Sequence, residues 1–433
     1  MRRLLLAVLL LAACAPVAGT PPPASATAGA APTTNASARP DRVTGWRADI
    51  AALLPGMASR HPNLTHSATR AQLDDAAAAL AAKVPSLADD EVLVGLMRIV
   101  GMVTAAGCDA HTGLYVWGEG TYPADSLPLR VWWFDEGLYV IDALAPYRDL
   151  VGMRVDAVNG RPTGEILAAI DPLVPRDNDT TVRLLTPRFF VIPQVLRGLH
   201  LIGAGTITLT LAPLAGASRS VMVAPIPMAE YNDWAGRYGL FLPDDPSVLY
   251  LSRAQEPLWL TELDGGALLY IQYNRADYLS GATLDGLRAA LATPREKVVV
   301  DIRHNYGGEI GSLPPVLAAL RDPTVGRAGH LFVITGRNTF SAASMFLAEL
   351  QATTSVVIVG EPMSGCPNPI GSARPLTLSY SGLVVEVGTN QDIAVSADDR
   401  RLQIPPTLPA RLSPAAWLAK QDPALAAIRA YRP

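Results

Sequence analysis

Two stretches of sequence decide the fold of this chain: VVVDIRHNYGG at residues 298–308 and LFVITGRNTFSAASMFLAEL at residues 331–350. Each begins with a run of β-forming residues, which predicts a buried strand, and each strand ends in a polar loop. The second loop leads directly into the helix-forming residues 342–350, so Ser341 is expected at the first turn of a helix. Strands that alternate with helices predict a parallel sheet, whose carboxyl edge would bring a glycine loop and a serine together.

This pairing of a serine with two glycines indicates acyl-transfer chemistry. A serine at the start of a helix lies at the positive end of the dipole, beside backbone N–H groups that have no partner inside the helix. Gly307 and Gly308 carry no Cβ, so their N–H groups can approach a ligand closely. Together these groups are typical of an oxyanion hole beside a nucleophilic Ser341. An ordinary N-cap serine next to an ordinary glycine turn is the other interpretation that these residues allow.

Three segments carry a resemblance to a known family: VVVDIRHNYGG, RNTFSAAS at residues 337–344 and SVVIVGEP at residues 355–362. They resemble the core of the C-terminal processing peptidases, also called tail-specific proteases, which include tricorn-core and retinoid-binding relatives. The resemblance implies an α+β fold with a crotonase-like ββα-spiral catalytic core. It implies a serine endopeptidase that acts on a peptide or protein substrate without cofactor or metal. It also implies Ser341 as the nucleophile, with the N–H groups of Ala342 and of Gly307 or Gly308 as the oxyanion hole.

The same resemblance points to a histidine far upstream as the general base. Residues 107–112 read GCDAHT, a polar cluster between a predicted helix and a predicted strand. An Asp-x-His-Thr motif at this place holds the general base in the tricorn-like branch, which implies that His111 takes the proton of Ser341. Histidine suits this task because its unperturbed pKa is about 6.5.

A Ser–Lys dyad, which many members of this family use, is disfavoured by composition. The chain has three lysines, Lys83, Lys297 and Lys420. None of them lies in the turn at residues 362–368, where the family lysine would be expected. The sequence therefore favours a Ser341–His111 pair or an inactive site.

The carboxylate that would orient the imidazole stays open at the level of sequence. The candidates are Glu361, Asp392 and Asp398, whereas Asp109 is expected to point elsewhere. Asp301 and Arg303 are expected to hold the glycine loop by a buried ion pair.

The N-terminus predicts export. Arg2 and Arg3 precede a short apolar run at residues 4–11, which has the form of a secretory signal. The run ends in LAAC at residues 11–14, which resembles the bacterial lipobox, so residues 1–14 are a predicted lipoprotein signal peptide and Cys14 the lipidated residue. Residues 15–43, rich in Pro, Ala and Thr, predict a flexible linker. We expect an exported bacterial lipoprotein on the periplasmic side of a membrane, attached through this lipid only.

The remaining chain divides into three predicted regions. Apolar residues at helical spacing over residues 44–118 predict an N-terminal helical region, with Ser86 as the N-cap of its third helix. Residues 119–228 contain short strands, and LVGMRVDAVNGRP at residues 150–162 resembles a PDZ strand and turn, so this is a β-rich, PDZ-like region. Residues 229–433 form the predicted serine peptidase core.

Composition and cysteine content narrow the class of protein. Of 433 residues 49% are hydrophobic and 17% are charged, which supports a large core, and a net charge of −4 predicts no nucleic-acid partner. Cys108 and Cys366 each lie beside a suspected catalytic segment of an exported chain. A disulfide between them is one interpretation and two buried thiols the other. No CxxC pattern or His/Cys cluster predicts a metal site.

Two other functions compete with a peptidase, and a third is excluded. A binding module of the same fold would hold an apolar ligand or a peptide without serine reactivity. A crotonase-type acyl-CoA enzyme would also use paired N–H groups, but the export signal disfavours it, since CoA thioesters are cytosolic. An α/β-hydrolase is excluded because no suitable serine lies in a G-x-S-x-G elbow. Neither the substrate's identity nor the oligomeric state can be inferred from the sequence.

Overall fold

A computed structural model describes residues 40–117, 120, 122–236 and 240–432. The predicted signal peptide, its Cys14 and the linker up to residue 39 lie outside the described residues. The described chain belongs to one compact unit that begins at Pro40. None of its helices combines the length and the apolar character needed to cross a membrane.

Three helices open the described chain: α1 (Arg42–Ala58), α2 (Arg70–Lys83) and α3 (Asp89–Thr104). Their apolar residues are buried at helical spacing, as the sequence predicts, and α1 begins two residues before the predicted boundary. Ser86 is not the N-cap of α3, and this prediction was wrong. The Ser86 hydroxyl donates to the Lys83 carbonyl within a short 3-10 turn, while the Glu91 carboxylate accepts the Ala88 N–H at the start of α3. The acidic side chain at the third helical position thus replaces the serine as the capping group.

The middle of the chain is built around one antiparallel sheet. The helices and strands of this middle part, in chain order, are β1 (Gly113–Tyr115), β2 (Asp125–Ser126), β3 (Leu129–Phe134), β4 (Gly137–Ala143), β5 (Arg154–Val158), β6 (Arg161–Pro162), α4 (Thr163–Ile170), α5 (Asp179–Phe190), α6 (Pro193–Gly198), β7 (Ile207–Ala212), β8 (Arg219–Val223), β9 (Ile226–Pro227) and α7 (Met228–Ala235). The sheet has the order β3-β4-β5-β7-β8, with β6 paired to β5, while β2 and β9 form a separate two-stranded sheet. Asn159 and Gly160 both have positive φ between β5 and β6, as expected for their tight turn.

The last part of the chain contains the sheet that carries the quoted stretches. Its elements are β10 (Leu258–Leu263), β11 (Leu268–Tyr273), α8 (Gly281–Ala292), β12 (Lys297–Asp301), α9 (Leu313–Leu320), β13 (Leu331–Thr335), α10 (Ala342–Thr353), β14 (Val357–Gly360), β15 (Ile370–Gly371), β16 (Arg374–Thr377), β17 (Val384–Val387), β18 (Asn390–Gln391), β19 (Leu408–Pro409), α11 (Pro414–Leu418) and α12 (Pro423–Ala430). The sheet order is β10-β11-β12-β13-β14-β19. All neighbours are parallel except β10 and β11, so the predicted parallel sheet with intervening helices is present.

A small three-stranded sheet joins residues 113–115 to two strands that follow Ser341 in the chain. Strand β1 follows the histidine turn and pairs with β17, which also pairs with β16. The Gly388 N–H at the end of β17 donates to the Thr112 hydroxyl at 3.0 Å. The turn that carries His111 is therefore held by a segment that follows Ser341 in sequence.

Candidate active site

Ser341 lies between the carboxyl end of β13 and the first turn of α10. Its backbone has φ 54° and ψ −127°, a left-handed conformation that a residue with a Cβ rarely adopts. Such a conformation costs about 1–3 kcal/mol and persists only where surrounding contacts enforce it. Two bonds between neighbouring loops provide such contacts: Thr339 donates its hydroxyl to the Ile302 carbonyl, and the Phe340 N–H donates to the Asn305 carbonyl. The serine is thus fixed by the loop that follows β12.

His111 lies next to this serine, as the family resemblance implies. The distance between His111 Nε2 and Ser341 Oγ is 3.1 Å, although the two residues are 230 positions apart. The imidazole stacks on the Phe340 ring with centroids 4.6 Å apart, and Tyr306 stacks on Phe340 at 4.8 Å. Two sequence-predicted site residues are therefore brought within hydrogen-bonding distance.

The surroundings of His111 keep its imidazole neutral. Burial lowers its pKa to about 4, against smaller raising effects from the Asp109 carboxylate and the Ile370 backbone. At neutral pH the ring can therefore accept a proton. For Nε2 to be the acceptor, the ring proton must lie on Nδ1, which is buried.

The backbone N–H groups near Ser341 divide into occupied and free ones. The Gly307 N–H donates to the Asn305 side-chain oxygen at 3.0 Å, so it is not available to an oxyanion. Of the two glycines that the resemblance offers, this contact leaves the Gly308 N–H. The backbone N–H groups of Gly308 and Ala342 donate no hydrogen bond to another described residue. Gly307 instead allows close packing, because a Cβ at this position would lie 2.6 Å from the Ser341 Cβ.

The glycine loop is held by the predicted ion pair. Arg303 and Asp301 are in contact at 2.8 Å, which confirms the pairing, and Arg303 also binds Asp422 at 2.8 Å. The side chains of all three are largely buried. Asp422, which the sequence reasoning missed, is itself the N-cap of α12. A bidentate arginine between two carboxylates is a strong, directional contact.

No carboxylate among the expected candidates contacts His111 in the described residues. Glu361 accepts both from the Arg337 guanidinium and from the Leu412 N–H, so it is committed elsewhere. Asp392 is half-buried, which raises its pKa, and Asp398 is exposed. None of these three carboxylates is therefore supported as the group that orients the His111 imidazole.

Asp109 directs its Oδ2 to two other histidines, in a cluster that the sequence did not reveal. Its Oδ2 lies 3.0 Å from Nε2 of His61 and 3.0 Å from Nε2 of His66. These three ligand-type atoms lie within 4.8 Å of one another. The Asn63 N–H, however, donates to Nδ1 of His61, so the neutral ring carries its proton on Nε2 and offers no lone pair there. The cluster is therefore built as a hydrogen-bonded network around a carboxylate, and it does not fit a metal.

Cys108 and Cys366 form a disulfide with a Cα–Cα distance of 5.3 Å, the first of the two interpretations that the sequence allows.

Asp177, which sequence reasoning also missed, lies against the two segments that carry these cysteines. Its carboxylate accepts the Ala110 N–H at 2.7 Å and the Cys366 N–H at 2.9 Å. The polar residues directly before α5 were its only signal in the sequence.

His304 lies in the glycine loop but lines a separate cavity of about 40 Å³, whose lining includes neither Ser341 nor His111. Its ring stacks on Tyr250 with centroids 6.1 Å apart. Burial lowers the pKa of His304 to about 3, and the positive charge of Arg303 lowers it further. This histidine is therefore not part of the Ser341 site.

Comparison with known proteins identifies the fold. No family model and no curated protein sequence matches the chain. Among solved structures, a point mutant of CPAF aligns over 87% of this chain and 95% of its own, with 12% identity and a TM-score of 0.61. Mature CPAF complexed with lactacystin aligns over 87% and 96%, with 12% identity and a TM-score of 0.58. The photosystem II D1 C-terminal processing protease aligns over 87% and 94%, with 12% identity and a TM-score of 0.34. The mixed helix-and-sheet architecture is thereby confirmed, and this chain shares the fold of CPAF, which supports the resemblance of its sequence to the C-terminal processing peptidases at the level of the fold.

Proposed function

We propose that this chain is a serine peptidase in which Ser341 is the nucleophile and His111 the general base. The observation that carries the proposal is the 3.1 Å approach of His111 Nε2 to Ser341 Oγ, between residues 230 positions apart. A lowered pKa of about 4 leaves the imidazole free to accept the serine proton at neutral pH. The left-handed backbone of Ser341 supports the same role, because strain of this kind is concentrated at functional sites.

The proposed reaction is acyl transfer in two steps. Ser341 Oγ attacks the peptide carbonyl while its proton passes to Nε2 of His111, and the resulting oxyanion accepts hydrogen bonds from the Gly308 and Ala342 N–H groups. The C–N bond then breaks, and the imidazolium gives its proton to the leaving amine. A water molecule, deprotonated by His111, hydrolyses the acyl-enzyme and restores the serine.

The finer parts of the architecture belong to the same proposal. We assign the sheet β3-β4-β5-β7-β8 as the PDZ-like region and the sheet that contains β12 and β13 as a crotonase-like catalytic core. We also propose that Cys14 is lipidated and that the protein is tethered in the periplasm. Incorporation of an alkyne-bearing fatty acid in cells, lost in Cys14→Ser, would support the anchor. Incorporation that persists in that variant would contradict it.

The reactivity of Ser341 can be tested with a fluorophosphonate probe on the purified full-length chain. The serine oxygen forms a bond to phosphorus, fluoride leaves, and His111 takes the serine proton. We expect labelling of wild type, mapped by mass spectrometry to Ser341, and at least about 100-fold slower labelling of Ser341→Ala and His111→Ala. Because one CPAF structure is a complex with lactacystin, we expect lactacystin to compete with the probe.

Two exposed positions provide matched controls. Ser355→Ala removes a surface hydroxyl, and His200→Ala removes an imidazole whose side chain is 76% exposed. Both variants should be labelled at the wild-type rate. A wild-type chain that is folded but unlabelled would refute the peptidase proposal and favour the binding-module alternative.

A further inference from the structure

Asp177 is a buried carboxylate that contacts both segments around His111. It lies just before α5 and is fully inaccessible to solvent. Its Oδ1 accepts the Ala110 N–H at 2.7 Å and its Oδ2 accepts the Cys366 N–H at 2.9 Å. Its backbone carbonyl also accepts the Cys108 N–H at 3.0 Å. One residue therefore takes three N–H groups from two segments that are distant in sequence.

The two side-chain contacts require an acceptor at both oxygens. An ionised carboxylate only accepts hydrogen bonds, whereas an amide or a protonated acid presents a donor at one of the two positions. Both partners here are N–H donors, and Asp177 forms no ion pair with any described residue. A buried charge of this kind is costly unless hydrogen bonds compensate for it.

The disulfide alone does not fix the histidine. It ties Cys108 to Cys366, and the Ile370 N–H donates to the Cys108 carbonyl at 2.7 Å. Both contacts are made three residues before His111, and the Thr112 hydroxyl accepts the Gly388 N–H one residue after it. The Ala110 contact of Asp177 is made at the residue directly before the imidazole.

We infer that Asp177 is a positioning residue for the proposed reaction: its carboxylate holds the Ala110 and Cys366 N–H groups so that His111 stays within reach of Ser341. The inference rests on the proposed peptidase function and adds to it a residue that does not touch substrate. It predicts that loss of either acceptor oxygen displaces the base, since a shift of about 1 Å at a reacting group lowers rates by about 100-fold.

The protonation of Asp177 provides a readout that a purely structural role would not change. Burial raises the pKa of Asp177 to about 7, the Ala110 and Cys366 N–H groups oppose this effect, and Asp109 adds to it. Protonation as the pH falls below 7 would turn one acceptor into a donor. The other titratable side chains around this turn are Asp109, His111, His61 and His66, whereas Arg176 and Arg401 approach it through their backbone carbonyls.

The experiment measures the fluorophosphonate labelling rate at Ser341 of the full-length chain from pH 5.5 to 8.5. Wild type should lose about tenfold per pH unit below pH 7, which is the loss of the ionised fraction. Asp177→Asn should label about 10- to 100-fold more slowly at pH 8, and its labelling rate should not fall as the pH drops below 7. The control Asp179→Asn, at an exposed position of the same segment, should match wild type.

Each outcome decides the inference. A wild-type rate that is flat through pH 7 overturns it, and this measurement needs no variant if Asp177→Asn fails to fold. A fall in rate below pH 7 that persists in Asp177→Asn also overturns it, because it would belong to a group other than Asp177. A lower thermal midpoint with an unchanged rate profile would make Asp177 structural only. Absence of labelling in wild type at every pH would instead refute the peptidase proposal on which the inference rests.

Discussion

The packing of Gly307 against Ser341 gives a prediction that can be worked through in numbers. An alanine Cβ at position 307 would lie 2.6 Å from the Ser341 Cβ, whereas carbon atoms in ordinary contact are about 3.5 Å apart. The serine or the glycine loop would have to move by about 0.9 Å. The distance from Ser341 Oγ to His111 Nε2 is already 3.1 Å, so such a shift would lengthen it beyond a hydrogen bond.

Gly307→Ala should therefore lower the fluorophosphonate labelling rate by about 100-fold. It should also destabilise the fold by about 1–3 kcal/mol, because Gly307 has φ +101° and a Cβ is strained there. The rate is measured by in-gel fluorescence over time, and the stability by urea denaturation of the same samples.

The control for this variant is Gly286→Ala in the interior of α8. No atom lies within 4 Å of the added methyl group, so labelling should be unchanged and stability should rise by up to about 1 kcal/mol. Labelling of Gly307→Ala at the wild-type rate would refute the argument, since it would mean that the packing of Gly307 does not set the position of the serine.

Three further predictions concern stability. Burial lowers the pKa of His304 to about 3, so the folded state excludes a proton that the unfolded chain binds below pH 6.5; stability is full above that pH and falls as the pH drops toward 3. His304→Phe should flatten this acid loss, by about 1.4 kcal/mol for each pKa unit of the shift as an upper bound, in urea titrations at pH 7, 6 and 5. Asp422→Ala leaves the buried Arg303 with one carboxylate and should cost about 3 kcal/mol. Replacing Cys108 and Cys366 together by serine opens a loop of 258 residues and should cost about 5 kcal/mol, measured as a lower denaturation midpoint.

Surface controls separate these effects from general damage. Asp285→Ala breaks an exposed ion pair with Arg288 and should change stability by less than about 1 kcal/mol. An Asp422→Ala loss no larger than that would contradict the buried-pair reasoning. The His304 prediction is refuted if His304→Phe loses as much stability between pH 7 and pH 5 as wild type does. The disulfide prediction is refuted if the double serine variant is as stable as wild type.

The parts of the fold that the sequence predicts well are those written in local patterns. Strands β12 and β13 form at the starts of the two quoted stretches, as predicted, because each is a short apolar run closed by polar or glycine residues. The position of Ser341 before α10 follows from the same local rule. The cap of α3 was mispredicted for a local reason as well, since two capping signals overlap and the acidic residue prevails over Ser86.

The unpredicted parts of the site depend on contacts between distant segments. Asp177 meets partners 67 and 189 positions away, and Asp109 meets His61 and His66 from 48 and 43 positions away. Nothing in hydrophobic periodicity encodes such approaches. His111 was found only because a family motif surrounds it. The Asn305 contact that occupies the Gly307 N–H is local, but it depends on a rotamer that a pattern does not specify.

The pairing of β1 with β17 has a consequence for how the protein matures. The serine and its base come together only after the chain has passed Val387, because the turn that carries His111 is held by that late strand. Contacts between such distant segments form late in folding, since loop closure must precede them. A chain that has not yet formed β17 would therefore lack an assembled Ser341–His111 pair. In refolding experiments, the appearance of fluorophosphonate reactivity would time the final assembly step.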